Sequence, residues 1–322
     1  MDNSFNFGGL PKQALEGAHP RYSVLPVPYD LTASYISGMR GGPRAIIDAS
    51  THMELYDHEL GCEPYLAGIE TLPYMESTAL GPWEMVKRVR EATEWILEAG
   101  RMPVILGGEH SITLGMVQAL LEAYPKMSVL HLDAHADMRD TYQDSPYNHA
   151  CVARRISELC PIVQVGIRSL CVEEAEFLKA DASKGRKANI KTVYAEEILR
   201  GISWDKVVSS LTDEICITVD LDFFDPSIMS ATGTPEPGGL GWHDALGVLR
   251  AAIAKRRVVG FDVVELCPIP GLVAPDFMAA KLVYKMMGYI NESLDKKTSK
   301  RPSKPLKGAS RRAARAGKGR NR

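Results

Sequence analysis

Residues 130–137 read Leu-His-Leu-Asp-Ala-His-Ala-Asp, and the reading of this stretch governs that of the whole chain. An apolar run leads into Asp133, His135 and Asp137, set two residues apart. Along a strand that continues into a loop, such positions point to one side. Two carboxylates and an imidazole then converge on a small volume, which is costly for the bare groups and favourable around a cation. A lone Asp-x-His is more simply a polar loop capping a buried strand, but two further stretches share the design. Asp220 and Asp222 end the β-rich run Ile-Cys-Ile-Thr-Val-Asp-Leu-Asp-Phe-Phe-Asp-Pro at residues 215–226. Gly-Gly-Glu-His-Ser at residues 107–111 follows the strand-like Pro-Val-Ile-Leu of residues 103–106. Ligand-type residues thus gather at strand ends, where open parallel sheets form their sites. Their number suits two ions sharing carboxylates, and oxygen with some imidazole favours Mn²⁺ over thiolate-bound zinc.

Outward from these stretches, strand-like and helical segments alternate. Strands are predicted at residues 22–27, 102–106, up to 133, 162–167, 190–194, up to 222 and 258–266. Helices are predicted at 81–100, 111–124 with Ser111 as cap, 149–159, 172–178, 204–211, 243–256 and 276–294. Apolar residues at three- and four-residue spacing, such as Trp83, Val86, Val89, Trp95 and Ile96, carry the helical readings. Such alternation indicates one α/β domain with a parallel sheet covered by helices. We place it at residues 21–295, between a loose Gly- and Asn-rich arm (1–20) and a basic tail (296–322). Residues 55–81 are too poorly patterned to assign. The Gly-rich loop at 38–43 fits neither a Walker loop nor a dinucleotide fingerprint.

Composition is that of a globular protein, with 45% hydrophobic and 24% charged residues. No apolar run has the length of a membrane span, so no membrane contact and a cytoplasmic address are expected. The six cysteines form no Cys-x-x-Cys pair, so neither a zinc ribbon nor a disulfide framework is expected. The net charge of −2 conceals an asymmetry: the tail holds 12 of the 38 Lys and Arg and no acid, leaving 26 basic against 40 acidic residues, or −14, elsewhere. An acidic body draws in small cations. The tail is expected to be disordered; it either neutralises a nucleic acid or another acidic partner, or serves only as a solubilising extension.

Four signatures together resemble the ureohydrolases, the family of arginases and agmatinases that split guanidino compounds into urea and an amine. They are Gly-Gly-Glu-His110, Asp133-Ala-His135-Ala-Asp137, Val-Asp220-Leu-Asp222-Phe-Phe-Asp225-Pro226 and Asp262-Val-Val-Glu265-Leu-Cys-Pro268, in the family's order. The resemblance implies a three-layer α-β-α domain with a mainly parallel eight-stranded sheet, shared with metal-dependent deacetylases. It further implies one Mn²⁺ held by His110, Asp133, Asp137 and Asp220, and a second by Asp133, His135, Asp220 and Asp222. A bridging hydroxide would attack the guanidinium carbon, with Asp137 orienting it. His149 is the candidate proton shuttle, although the family's usual His-Gly is here His149-Ala150. Glu265 is expected to accept hydrogen bonds from the guanidinium. His131 is read as a core or supporting residue, and the turn-rich run after Pro226 as loop geometry.

The loop after Asp137 reads Met138-Arg139-Asp140-Thr-Tyr142-Gln-Asp144-Ser and lacks the Asn and Ser-Gly-Asn-rich pattern that arginases use for the amino-acid head. Asp140 or Asp144 would meet the ammonium of agmatine, whereas Arg139 would pair with a carboxylate such as that of guanidinobutyrate. The reading adopted is an agmatinase yielding putrescine and urea. Another guanidino acid hydrolase comes next, and a mononuclear zinc deacetylase or a non-catalytic metal-binding relative last. The family implies a homotrimer or homohexamer.

Overall fold

Alternating apolar residues are expressed as the two faces of a single sheet. The structure is a computed structural model that describes residues 5–11 and 19–299. Its strands are β1 (Tyr22–Val27), β2 (Ile69–Thr71), β3 (Met102–Gly107), β4 (Ser128–Leu132), β5 (Ile162–Ile167), β6 (Ile190–Tyr194), β7 (Glu214–Asp220) and β8 (Arg257–Val264). They form an eight-stranded sheet in the order β2-β1-β3-β8-β7-β4-β5-β6. Every pairing is parallel, in line with the predicted α/β class.

The helices are α1 (Gly42–Ser50), α2 (Pro82–Glu98), α3 (Thr113–Ala123), α4 (Val152–Ser157), α5 (Val172–Ala182), α6 (Ala195–Leu199), α7 (Trp204–Val208), α8 (Trp242–Lys255) and α9 (Ala274–Ser299). On β3, Val104 and Leu106 join the apolar layer built with Ile46 of α1, Leu249 of α8 and Val283 of α9. Ile105, between them, points to the opposite layer, with Val86 of α2, Val117 of α3 and Ile156 of α4. The period of two in the sequence is therefore the thickness of a three-layer domain.

The differences from the sequence reading have local causes. Helix α3 begins at Thr113, after a 3-10 turn at His110–Ile112, and Ser111 does not cap it, because its hydroxyl donates to Glu109. The helices predicted at 149–159 and 204–211 stop at Ser157 and Val208. Strand β2 lies in the stretch without an assignment, and α6 was not anticipated. Part of the arm is not loose. Phe7 and Leu10 are buried, and the amides of Phe7 and Gly8 donate to Thr71 Oγ1 and Ser50 Oγ at 2.9 and 2.8 Å. Two apolar side chains suffice to dock a Gly-rich segment that has no period of its own. At the other end α9 runs to Ser299, so the first residues assigned to the tail are helical. Arm residues 1–4 and 12–18 and tail residues 300–322 lie outside the described residues. Among the described residues no helix is long and apolar enough to cross a membrane.

One side chain ties the loops on the carboxyl edge of the sheet together. Arg168, just past β5, donates to the carbonyls of Asp222 (2.7 Å), Glu236 (2.8 Å), Gly166 (3.1 Å), Pro237 (3.2 Å), Phe223 and Phe224 (both 3.3 Å). The planar fork of five N–H groups suits this use, since its donors reach several carbonyls at once.

Two stability tests follow. Gly115 faces α2 so closely that a Cβ would overlap the Val86 carbonyl. Gly115→Ala adds helix propensity worth about 1 kcal/mol, yet overpacking of about 1–3 kcal/mol opposes it. The expected outcome is net destabilisation, read as a lower denaturation midpoint at unchanged slope. Arg168→Met withdraws the donor from several part-buried carbonyls, at up to about 1–3 kcal/mol for each left unsatisfied. It should lower Tm and increase amide exchange across residues 222–237.

Candidate active site

Four neighbouring strands in the middle of the sheet, β3, β8, β7 and β4, deliver the signature residues from their carboxyl ends. His110 opens the turn after β3, while Asp133, His135 and Asp137 follow β4. Asp220 ends β7, Asp222 sits in the next turn, and Glu265 follows β8. All are buried except His135, which is a quarter exposed. Asp137 and Glu265 both adopt left-handed backbone, with φ of 52° and 66°. Non-glycine residues there cost energy and collect at sites where a side chain must be aimed off the strand direction.

His110 shows what the cluster is suited to. Its Nε2 lies 2.9 Å from Thr218 Oγ1. Its Nδ1 has no hydrogen-bond partner in good geometry, yet faces Asp133 and Asp220 at 3.2 Å and Asp137 at 3.4 Å. His135 Nδ1 sits 2.9 Å from Asp222 and 3.7 Å from Asp133. His110, His131, Asp133 and Asp137 form one group close enough to surround a cation, and Asp133, His135 and Asp222 form a second, with Asp133 common to both. Bare, these groups perturb one another strongly. Burial and then the Asp133 charge push the Asp137 carboxyl up to about 6. Burial works against charge on His135, but Asp222 beside it prevails and carries the imidazole up to about 11. His110 is raised well above its usual value in the same way, by Asp133, Asp137 and Asp220 against burial. Divalent cations in their midst would replace the protons that otherwise hold the groups together, so the donor set fits two oxygen-preferring ions.

His131 shares strand parity with Asp133 and belongs to the first group, but both its nitrogens are engaged. Gln164 Nε2, which also donates to Ala136 O, lies 3.1 Å from His131 Nδ1. Nδ1 therefore accepts, and Nε2–H donates to Asp133 Oδ2 at 2.8 Å. The imidazole orients a carboxylate instead of offering a lone pair.

A cavity of about 270 Å³ opens above the cluster, lined by His135, Asp137, Asp220, Asp222, His149 and Glu265. Arg139, Tyr142 and Glu174 also line it, with the Arg139 guanidinium 4.8 Å from the Tyr142 ring centre. Burial, then charge on His110 and His135, holds His149 neutral, pushed down to about 4. Asp140 does not meet the expectation placed on it. Its exposed carboxylate turns outward to Arg155 Nη2 at 2.6 Å and does not line the cavity, because the adjacent helix α4 offers a cation on that side. Asp144 is likewise exposed. Glu174, unmarked in the sequence, is buried and accepts from the amides of Met138 (2.8 Å) and Cys171 (2.7 Å), pinning the loop behind Asp137. Its only sequence signal is its place three residues after the cap of α5, the pattern of a capping box.

Comparison with known proteins agrees with the geometry. The chain is 40% identical over 310 residues to an N(1)-aminopropylagmatine ureohydrolase of Synechocystis sp., covering 92% of this chain and 98% of that protein. It is 35% identical over 274 residues to an agmatinase of Pyrococcus horikoshii, covering 83% and 91%. The crystal structure of the agmatine ureohydrolase of Thermoplasma volcanium superposes with a TM-score of 0.76 at 28% identity, covering 88% of this chain and 94% of that one. The Arginase family model matches residues 20–288, and the chain belongs to that family.

Proposed function

We propose that the chain is a manganese-dependent ureohydrolase of agmatinase type, releasing urea from the guanidino end of agmatine or of its longer relative N1-aminopropylagmatine. The observation that carries this reading is the unpartnered Nδ1 of His110, buried among three carboxylates. One ion would be held by His110, Asp133, Asp137 and Asp220, the other by Asp133, His135, Asp220 and Asp222. When bound, two such ions supply the Lewis acidity that makes water a competent nucleophile near neutral pH. Glu265 accepts hydrogen bonds from the guanidinium and sets its carbon over the cluster. Asp137 accepts a hydrogen bond from the attacking water and so aims it. Once water has added, the leaving nitrogen needs a proton before the C–N bond breaks. His149, neutral and on the cavity wall, takes the proton shed by water and passes it to that nitrogen, giving urea and the free amine.

The amine end is read from the relatives, since the 40% identical protein carries the longer substrate in its name and the 35% identical one is named agmatinase. A carboxylated guanidino compound is the second reading, favoured by Arg139 on the cavity wall, where a carboxylate would find a cation.

The deciding assay offers the Mn²⁺-loaded protein agmatine, N1-aminopropylagmatine, guanidinobutyrate and arginine separately. Urea is expected from one or both amines and to vanish with chelation. Preference for guanidinobutyrate would transfer the assignment to the second reading, and urea from none would overturn both. His149→Ala should lower kcat roughly 10²–10⁴-fold while bound manganese stays constant by metal analysis. Asp220→Asn should instead lose bound metal.

A further inference from the structure

Beneath His149 lies a chain of groups that this reaction scheme leaves unused. The loop after β1 brings Thr32 under the imidazole, so that Thr32 Oγ1 is 3.1 Å from His149 Nδ1 and also 3.1 Å from the His149 backbone N. On its other side Thr32 Oγ1 donates to Glu109 Oε1 at 2.8 Å, and the Thr32 amide donates to Glu109 Oε2 at 2.6 Å. Ser111 Oγ adds a third donor to the same carboxylate at 2.5 Å. Glu109 is wholly buried and Thr32 nearly so. The loop comes this close because Gly108 has no side chain, and a Cβ there would overlap the Tyr29 carbonyl.

Counting donors determines how the imidazole is arranged. A threonine hydroxyl has one proton and two lone pairs. The proton goes to Glu109, since withdrawing a donor from a buried carboxylate is costly. One lone pair receives the backbone N–H of His149, so the other receives a proton from Nδ1. The neutral ring is therefore protonated at Nδ1 and bare at Nε2. Ser34 Oγ, at 3.5 Å from Nε2, completes the surroundings at the mouth. A bare Nε2 is the form needed by a group that must first take a proton from water and then deliver it to an amine.

We propose that Thr32 and Glu109 are positioning residues that fix the tautomer and direction of His149. They touch neither the substrate nor the reacting atoms, and their effect is exerted through the imidazole. The inference rests on His149 being the proton shuttle.

The test compares Thr32→Val, Thr32→Ser, Glu109→Gln and His149→Ala in the full-length, metal-loaded protein. Thr32→Val keeps the shape of the side chain and removes the hydroxyl, and should lower kcat roughly 10²-fold at unchanged KM and bound metal. Thr32→Ser should recover the rate to within about threefold. Glu109→Gln, which keeps volume and loses an acceptor, should follow Thr32→Val and serves if that variant does not fold. Histidine-selective ¹⁵N spectra of the protein carrying a diamagnetic divalent cation should show His149 protonated at Nδ1 in the parent and a mixture of tautomers in Thr32→Val. A rate within twofold of the parent in Thr32→Val while His149→Ala is impaired would remove the relay and leave the shuttle. Loss of metal in step with rate, or no recovery with serine, would reduce Thr32 to a structural residue and overturn the proposal. An undiminished rate in His149→Ala would remove the shuttle reading itself, and the proposal with it.

Discussion

The controlling constraint in this structure is the crowding of like charge. Asp133, Asp137, Asp220 and Asp222 are brought together from two strand ends and buried almost completely. Carboxylates in that position repel one another in a medium that screens them poorly. Nothing apolar in the surroundings offsets this. The arrangement persists because imidazoles are interleaved with the acids and because the whole set fits around divalent cations. The fold can be understood as the scaffold that holds this unfavourable assembly in place. Its central strands are buried on both faces, and their registers fix where each carboxyl end stops.

Around the cluster, rigidity comes from polar groups whose bonding capacity is filled by backbone. Arg168 gathers carbonyls from two loops beside Asp222, and Glu174 collects two amides behind Asp137. His131 and Gln164 hold Asp133 from the side away from the cavity. Each of these groups is held by fixed partners, so little conformational entropy remains to be lost when an ion or substrate arrives.

Much of this was legible in the sequence, for a physical reason. A buried parallel strand must be apolar, so acids and imidazoles placed two apart at its end stand out, although the turn holding Asp222 and the left-handed backbone of Asp137 set their final directions. The strands at 22–27, 162–167 and 190–194 were read to the residue on the same ground. Short elements were not, because β2 and α6 are held by packing against neighbours and carry too few residues to show a period. Supporting residues were also opaque. Arg168, Glu174 and Thr32 act through hydrogen bonds to residues distant in the chain, and one sequence gives no measure of such distances. Asp140 shows the reverse case: its place in the loop after Asp137 suggested a contact with the substrate ammonium, but successive loop side chains diverged, Arg139 to the cavity and Asp140 to Arg155.

The strand order has a consequence for how the site comes into being. β8, the last strand in the chain, is inserted between β3 and β7, which share no hydrogen bonds without it. Before it docks, the sheet consists of two pieces, one carrying His110 and the other Asp133, Asp137, Asp220 and Asp222. The four carboxylates already share the β4–β7 piece, and what the docking of β8 adds is the His110 imidazole that faces three of them. A nascent chain that ends before residue 257 has no strand to join His110 to the carboxylates, so only a metal site that includes His110 reports on completion of the fold.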